Sequence, residues 1–218
     1  MPPAKPKGAV SLQRIIDEAL TVPIVGITPV IPHQWAEKAK RLMRDKQYAG
    51  AKTARAPREA KDPEEDAEAA MYRLPDGRPG IPATAFKGAM VAACRFFEGV
   101  PMTEGRLIIY VRGEGPQQLV ALRGTEEIRE DMPRNATGVV DLRYRKALLA
   151  GVEGVDPWRA DVTIVYPPTL ITQESIFALL DAAGRVGVGD WRPGSPKSNT
   201  GTYGTFRVDD EALAQVMS

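Results

Sequence analysis

The stretch RADVTIVYPPTLITQESIFALLDAAG, residues 159–184, decides the fold class because it changes periodicity partway along. RADVTIVYP (159–167), rich in β-branched and aromatic residues, reads as a strand. In TQESIFALLDAAG (172–184), Thr172 is a candidate cap and Ile176, Leu179, Leu180 and Ala183 share one helical face. Gly184 stands where a left-handed C-cap would end that helix. YGTFRV (203–208) reads as a final strand beyond it.

Working back toward the N-terminus, DLRYRKALL (141–149), QLVALRG (118–124) and RLIIYVRG (106–113) also read as strands. In DLRYRK, alternation sets Leu142 and Tyr144 opposite Arg143 and Arg145, one side for a core and one for phosphates. IPATAFKGAMVAACRFF (81–97) predicts a helix with Thr84 as N-cap and Phe86, Ala89, Met90, Ala93 and Phe97 on one face. Asp-Gly within YRLPDGRPGI (72–81) predicts a hairpin. QWAEKAKRLMRDK (34–46) predicts an amphipathic helix with a basic outer face, and TVPIVGITPVI (21–31) a bent or edge strand. This order implies an α+β domain with a mainly antiparallel, ferredoxin-like sheet, helices packed on one face and long insertions. The expected layout is an N-terminal arm (1–20), one domain (21–208) with an insertion at 47–70, and a C-terminal tail (209–218).

Composition bounds the function. The 218 residues suit one core, no run reaches the roughly 20 apolar residues that cross a bilayer, and MPPAKPKGAV resembles no secretory signal. A single cysteine, Cys94, and a single histidine, His33, argue against a disulfide framework or a zinc site, so no metal or cofactor is expected. Cys94 reads as a small core residue and Asp62 as a helix cap. His33 lacks a partner identifiable from spacing, so a protein that catalyses nothing is expected, with His33 as base of an endoribonuclease the alternative. A cytoplasmic protein of a bacterial host is the default.

Net charge is only +1, yet Lys38 to Lys61 holds nine cations against Asp45 and Glu59, and DPEEDAE (62–68) then supplies five acids. Such blocks form a solvated loop, pair across a subunit boundary or face a polyanion. Residues 184–206, GRVGVGDWRPGSPKSNTGTYGTF, carry six glycines, and no dinucleotide fingerprint fits because they follow a helix. Glycines that bring main chain to phosphates, with Arg185, Arg192 and Lys197 for charge and Trp191 and Tyr203 for stacking, would make a clamp for an unpaired strand. A surface loop with Trp191 folded onto the core is the plain alternative.

GIPATAFKGAMVAACR resembles the IPGSSLKGxxR segment of the RAMP superfamily, the backbone subunits of CRISPR effector complexes, and the stretch ending GTYGTF is similar to its glycine-rich loop. Ala83 and Thr84 replace the usual Gly-Ser, and DWRPGSPKSN interrupts the loop. The resemblance implies an RRM-like βαββαβ core, subunits stacked head to tail, and a grip on single-stranded nucleic acid in which Lys87, Gly88, Gly201 and Gly204 match family positions. TPVIPHQWAEKAK, REAKDP and VGVGDWRP are similar to phage-encoded proteins of poorly defined role. The expectation is a phage protein that oligomerises along single-stranded DNA or RNA. Lys38, Arg41, Lys52, Arg55, Arg58, Arg143 and Arg145 would track phosphates. A phage assembly protein acting through self-association is the alternative.

Overall fold

The computed structural model describes residues 14–34, 37–49, 62–129, 144–195 and 201–217. In chain order the elements are β1 (Glu18–Gly26), α1 (Glu37–Ala49), α2 (Pro63–Ala69), β2 (Gly80–Pro82), α3 (Ala83–Ala93), α4 (Met102–Ile108), β3 (Tyr110–Arg112), β4 (Leu119–Arg123) and β5 (Glu126–Arg129). They continue with β6 (Arg145–Leu148), β7 (Arg159–Tyr166), α5 (Gln173–Val186), β8 (Phe206–Val208) and α6 (Asp210–Met217). Among the described residues no helix is long and apolar enough to cross a membrane.

The main sheet runs β2-β4-β7-β1-β8, with β3 pairing β7 further along, and every pairing is antiparallel. Taking β1-α3-β4-β7-α5-β8 as the core, the last strand lies beside the first and the third lies between first and second. That is the ferredoxin-like split βαβ arrangement. Period-two burial shows why the strands form: Ala160, Val162, Ile164 and Tyr166 of β7 are buried, whereas Arg159 and Asp161 are exposed. The inner side chains join Val22 and Ile24 of β1 in one core with Phe86 and Met90 of α3 and Leu179 and Leu180 of α5. β5 and β6 form a separate two-stranded ribbon.

Several local expectations change. β1 is interior, not an edge; Pro23 is tolerated because β8 has ended opposite it, leaving only its carbonyl to accept Asp209 N–H at 2.9 Å. Thr84 is inside α3, which starts at Ala83 after Pro82 without a side-chain cap. Phe97 leaves the expected apolar face and is exposed. Residues 106–108 are helical, not strand: α4 packs back on α3 through Gly105, where an added Cβ would stand 2.6 Å from Cys94 Sγ. Gly184 is not a cap either. It is buried in α5 because an added Cβ would fall on the Phe206 carbonyl, and Gly187 at φ +76° ends the helix. Residues 210–217, expected as tail, form α6, whose Leu213 packs on the core.

The expectations for Asp62 and Cys94 hold. Asp62 accepts the N–H groups of Glu64 and Glu65 at 3.0 and 3.1 Å. Cys94 is buried, which pushes its thiol pKa up, away from nucleophilic behaviour.

Candidate nucleic-acid interface

The described parts of the glycine-rich stretch, 184–195 and 201–206, are closed rather than open. Main-chain bonds knit them to each other and to the segment after β1. Val188 N–H donates to Gly204 O (3.0 Å), Tyr203 N–H to Trp191 O (3.1 Å), Asp190 N–H to Ile31 O (3.0 Å) and Gly204 N–H to Pro29 O (2.7 Å). Gly201 and Gly204 are buried, and a Cβ on either would meet a carbonyl, of Trp191 and Val188 respectively. The glycines serve close packing of backbone on backbone, so these amides cannot cradle a phosphate as the expected clamp requires.

The nearby side chains follow the same logic. Trp191, held at φ +61°, and Tyr203 are half-buried against Ile31 and Ala147. Arg192 donates to Gly189 O at 2.9 Å, and Arg145 donates to Tyr144 O at 3.0 Å. Asp190 lies 3.4 Å from His33 Nδ1 and 3.9 Å from Arg145 Nε. Arg145 was expected to face phosphates. Its side chain is only 14% exposed, because the strand face that carries it is covered by this corner.

Of the other candidates, Lys38 and Arg41 lie on α1, with Arg41 exposed, and Arg185 is exposed in the last turn of α5. Lys52, Arg55, Arg58, Arg143 and Lys197 lie outside the described residues. Lys87 and Gly88 sit on the outer surface of α3. A Cβ on Gly88 would meet nothing within 4 Å, and Lys87 Nζ stands 4.1 Å above the Tyr110 ring.

Tyr110 leads onto a surface that the sequence pattern did not single out. Cross-strand register aligns Tyr110 with Val165 and Ala19, Arg112 with Thr163 and Thr21, and Arg123 with Arg159, Val25 and Arg207. All belong to the sheet face opposite α3 and α5. It is closed over Pro23 and Val25, where Arg159 pairs with Asp209, and open along β7, β3 and the end of β4. Thr21 and Thr163 hydroxyls share a 2.9 Å hydrogen bond on it. Arg123 grips Asp161 through two bonds of 2.7 and 3.2 Å, which raise the guanidinium pKa. Arg112, Arg185 and Arg207 form no ion pair with any described residue. Arg185 and Arg207 border one groove beside Ile27 and Thr205. The face was hidden because 106–113 reads as one strand, which blurs the parity of Tyr110 and Arg112, and because rows across strands are long-range pairings.

No family model matches the sequence, and no curated protein matches it. Among solved structures, a chain from a Type III-B Cmr-beta complex bound to cognate target RNA is similar in fold at TM-score 0.45 and 13% identity. The match covers 88% of this chain and 58% of that one, so this protein spans little more than half the length of its neighbour. A likeness of this order speaks to neither ligand nor partner.

Proposed function

We propose that the protein binds single-stranded nucleic acid without cleaving it, along the open sheet face from Tyr110 to Arg123, with Lys87 reaching Tyr110 from α3 at the β3 edge. The observation that carries the reading is the β3 edge: a half-exposed Tyr110 with Lys87 over one face of its ring, next to an Arg112 that has no ion-pair partner among the described residues. A ring so placed offers its other face to a base, and Arg112 reaches the phosphate beside it. Exposed Gly88 leaves room for a sugar-phosphate chain next to Lys87. Basic α1 adds longer-range attraction, and near-zero net charge lets copies sit side by side on one strand. Stacking and phosphate tracking serve DNA and RNA alike.

The test is fluorescence anisotropy with a labelled oligonucleotide of about 20 nucleotides. Affinity should fall steeply between about 50 and 200 mM salt, and replacing Arg112 by Ala should shrink the logarithmic salt slope by about 0.7. Absence of binding at the lower salt, or indifference to Tyr110→Ala and Arg112→Ala together, overturns the reading. A second reading, RNA cleavage, draws on the 3.4 Å approach of His33 Nδ1 to Asp190, a carboxylate able to orient the imidazole as a base. Wild-type protein that leaves labelled RNA intact disposes of it, as does cleavage that survives His33→Ala.

A further inference from the structure

The outer face of the sheet carries a line of arginines. Cross-strand register sets Arg123 of β4 against Arg159 of β7, Arg159 against Val25 of β1, and Val25 against Arg207 of β8. Arg123, Arg159 and Arg207 thus share one row, about 14 Å long at the usual spacing between strands. Like charges set directly opposite each other, as Arg123 and Arg159 are, repel unless an anion offsets them. Asp161, inside β7, pairs with Arg123, and Asp209, two positions past Arg207, pairs with Arg159. Arg207 has no ion-pair partner among the described residues.

The two acids are held differently. Asp161 is exposed, and its main chain lies in the ladder between β7 and β1. Asp209 is the one buried charged residue among those described, its side chain 8% exposed against 46% for Arg159, so solvent still reaches the guanidinium. Asp209 also opens α6: its Oδ1 accepts Ala212 N–H at 3.3 Å and its carbonyl accepts Leu213 N–H at 2.8 Å. Among the described residues of α6 only Leu213 packs on the core, whereas Asp210, Glu211, Ala214 and Gln215 are exposed. The helix is seated shallowly, and DEALAQVM (210–217) brings two further acids and no cation.

We infer that this row is a second phosphate track, continuing the strand's path from Arg123 to Arg207, and that Asp209 with α6 is the internal acid competing for it. The inference rests on the reading of the sheet face as the ligand surface. A phosphate at Arg159 takes the counter-charge on which buried Asp209 depends. A buried carboxylate without its cation is costly, so it moves into water and carries the start of α6 with it. Asp161 cannot leave in this way, because the sheet holds its main chain. The row favours a polyanion, since its three arginines outnumber the two acids and one of those acids is releasable.

A salt series with the labelled oligonucleotide tests this. Asp209→Asn keeps the helix cap, because asparagine accepts the same N–H, and discharges the competitor. It should bind more tightly than wild type, with a logarithmic salt slope steeper by about 0.7, the mark of one added phosphate contact. Arg159→Gln combined with Asp209→Asn should lose that gain, since the freed cation goes with it. Leu213→Ser, which loosens the seat and leaves every charge in place, should tighten binding too. Hydrogen exchange of the α6 amides should quicken when wild type is saturated with oligonucleotide. A pair that serves only the fold leaves affinity and slope unchanged in both Asp209→Asn and Leu213→Ser, and that result overturns the inference. So does α6 protection that saturating oligonucleotide does not alter. If neither wild type nor Asp209→Asn binds at about 50 mM salt, the ligand surface falls and the track with it. Wild-type binding that needs Tyr110 and Arg112 but ignores Asp209→Asn removes the competitor alone.

Discussion

In the corner built from residues 187–192 and 201–205, Trp191 and Tyr203 lie against Ile31 and Ala147, and the Arg192 guanidinium is taken by the Gly189 carbonyl. At the β3 edge, Tyr110 is half-exposed under the Lys87 ammonium, and Arg112 stands in solvent. Both regions combine cations with aromatic rings. Composition alone ranks the corner higher, because it is richer in glycine. Geometry reverses the order, because a group available to a ligand is one whose hydrogen-bonding capacity the fold has left unused. In the corner the amides of Val188, Asp190, Tyr203 and Gly204 already donate to carbonyls, whereas at the edge the Tyr110 ring is half-exposed and the Arg112 guanidinium pairs with no described acid.

Substitutions should therefore separate the two regions cleanly. The largest effect belongs to Gly204→Ala. At φ +69°, with the Val188 carbonyl where the methyl would go, alanine brings left-handed strain and a steric clash together. About 2 to 4 kcal/mol of stability should be lost in urea unfolding, while the fraction still folded binds oligonucleotide as before. Gly184→Ala sharpens the point, since helix propensity alone would favour alanine by about 1 kcal/mol. A net loss there shows that contact with the Phe206 carbonyl dominates. An unchanged unfolding midpoint in Gly204→Ala would mean that the corner is looser than its hydrogen bonds indicate.

Tyr110→Ala should give the opposite pattern. Half the ring is in water and no core side chain rests on it alone, so stability should move by less than about 0.5 kcal/mol. Affinity for single strands should fall by about 1 to 3 kcal/mol, the usual value of one stacked base. Matching losses of stability and affinity would place Tyr110 with the corner and remove the contrast.

The sequence carried the fold further than the site. Apolar periodicity in 172–183 and β-branched density in 159–167 marked α5 and β7 well, because both follow from local burial that repeats along the chain. The Asp76-Gly77 turn and the Asp62 cap were also legible, each resting on chemistry within a few residues. Errors fell where a distant contact decided the outcome. Leu107 and Ile108 look strand-like, yet they are helical because Gly105 must reach Cys94. Gly184 looks like a cap, yet it sits in the helix because Phe206 arrives from 22 positions later. Trp158 gave no local signal at all, although it is fully buried, its Nε1–H donates to Thr28 O at 2.8 Å, and Gly26 is glycine to make room for its indole. The candidate site suffered most, since a cross-strand row such as Arg112-Thr163-Thr21 joins residues that no window of sequence contains.

A further charged group, on the face of β6 opposite Arg145 and Ala147, is likewise paired within the fold and predicts a smaller effect. Glu68 of α2 is bridged by Arg73 and Lys146, and Glu126 of β5 takes the other side of the Arg73 guanidinium at 2.8 and 3.0 Å. Hydrogen bonds from Arg73 and then Lys146 lower the Glu68 pKa from 4.5 to about 2. A carboxylate depressed in the folded state stabilises the fold fully above its ordinary pKa, and that stability drains away as pH falls from 4.5 toward 2. The side chain is 45% exposed, so solvent screening holds the contribution to about 1 kcal/mol or less. Glu68→Gln should flatten the acid limb of stability over that window and leave oligonucleotide affinity at pH 7 unchanged. Changed affinity would tie α2 to the ligand surface.

The smallest effect tests the open edge at its finest point. If Lys87 and Tyr110 act together as one platform, their contributions to binding are coupled rather than additive. Removing Tyr110 takes away the surface on which the ammonium rests, so Lys87→Ala should then cost less than it does in the wild type. An exposed cation over a ring is worth about 0.5 to 1 kcal/mol, which sets the scale of the coupling in a double-mutant cycle read by anisotropy. Lys87→Arg should retain most of it, because a guanidinium also stacks on an aromatic face. Strictly additive losses would show that the 4.1 Å contact is incidental and that the two residues meet the strand independently. The open face would then be a set of separate contacts, in contrast to the corner, where every group depends on its neighbour.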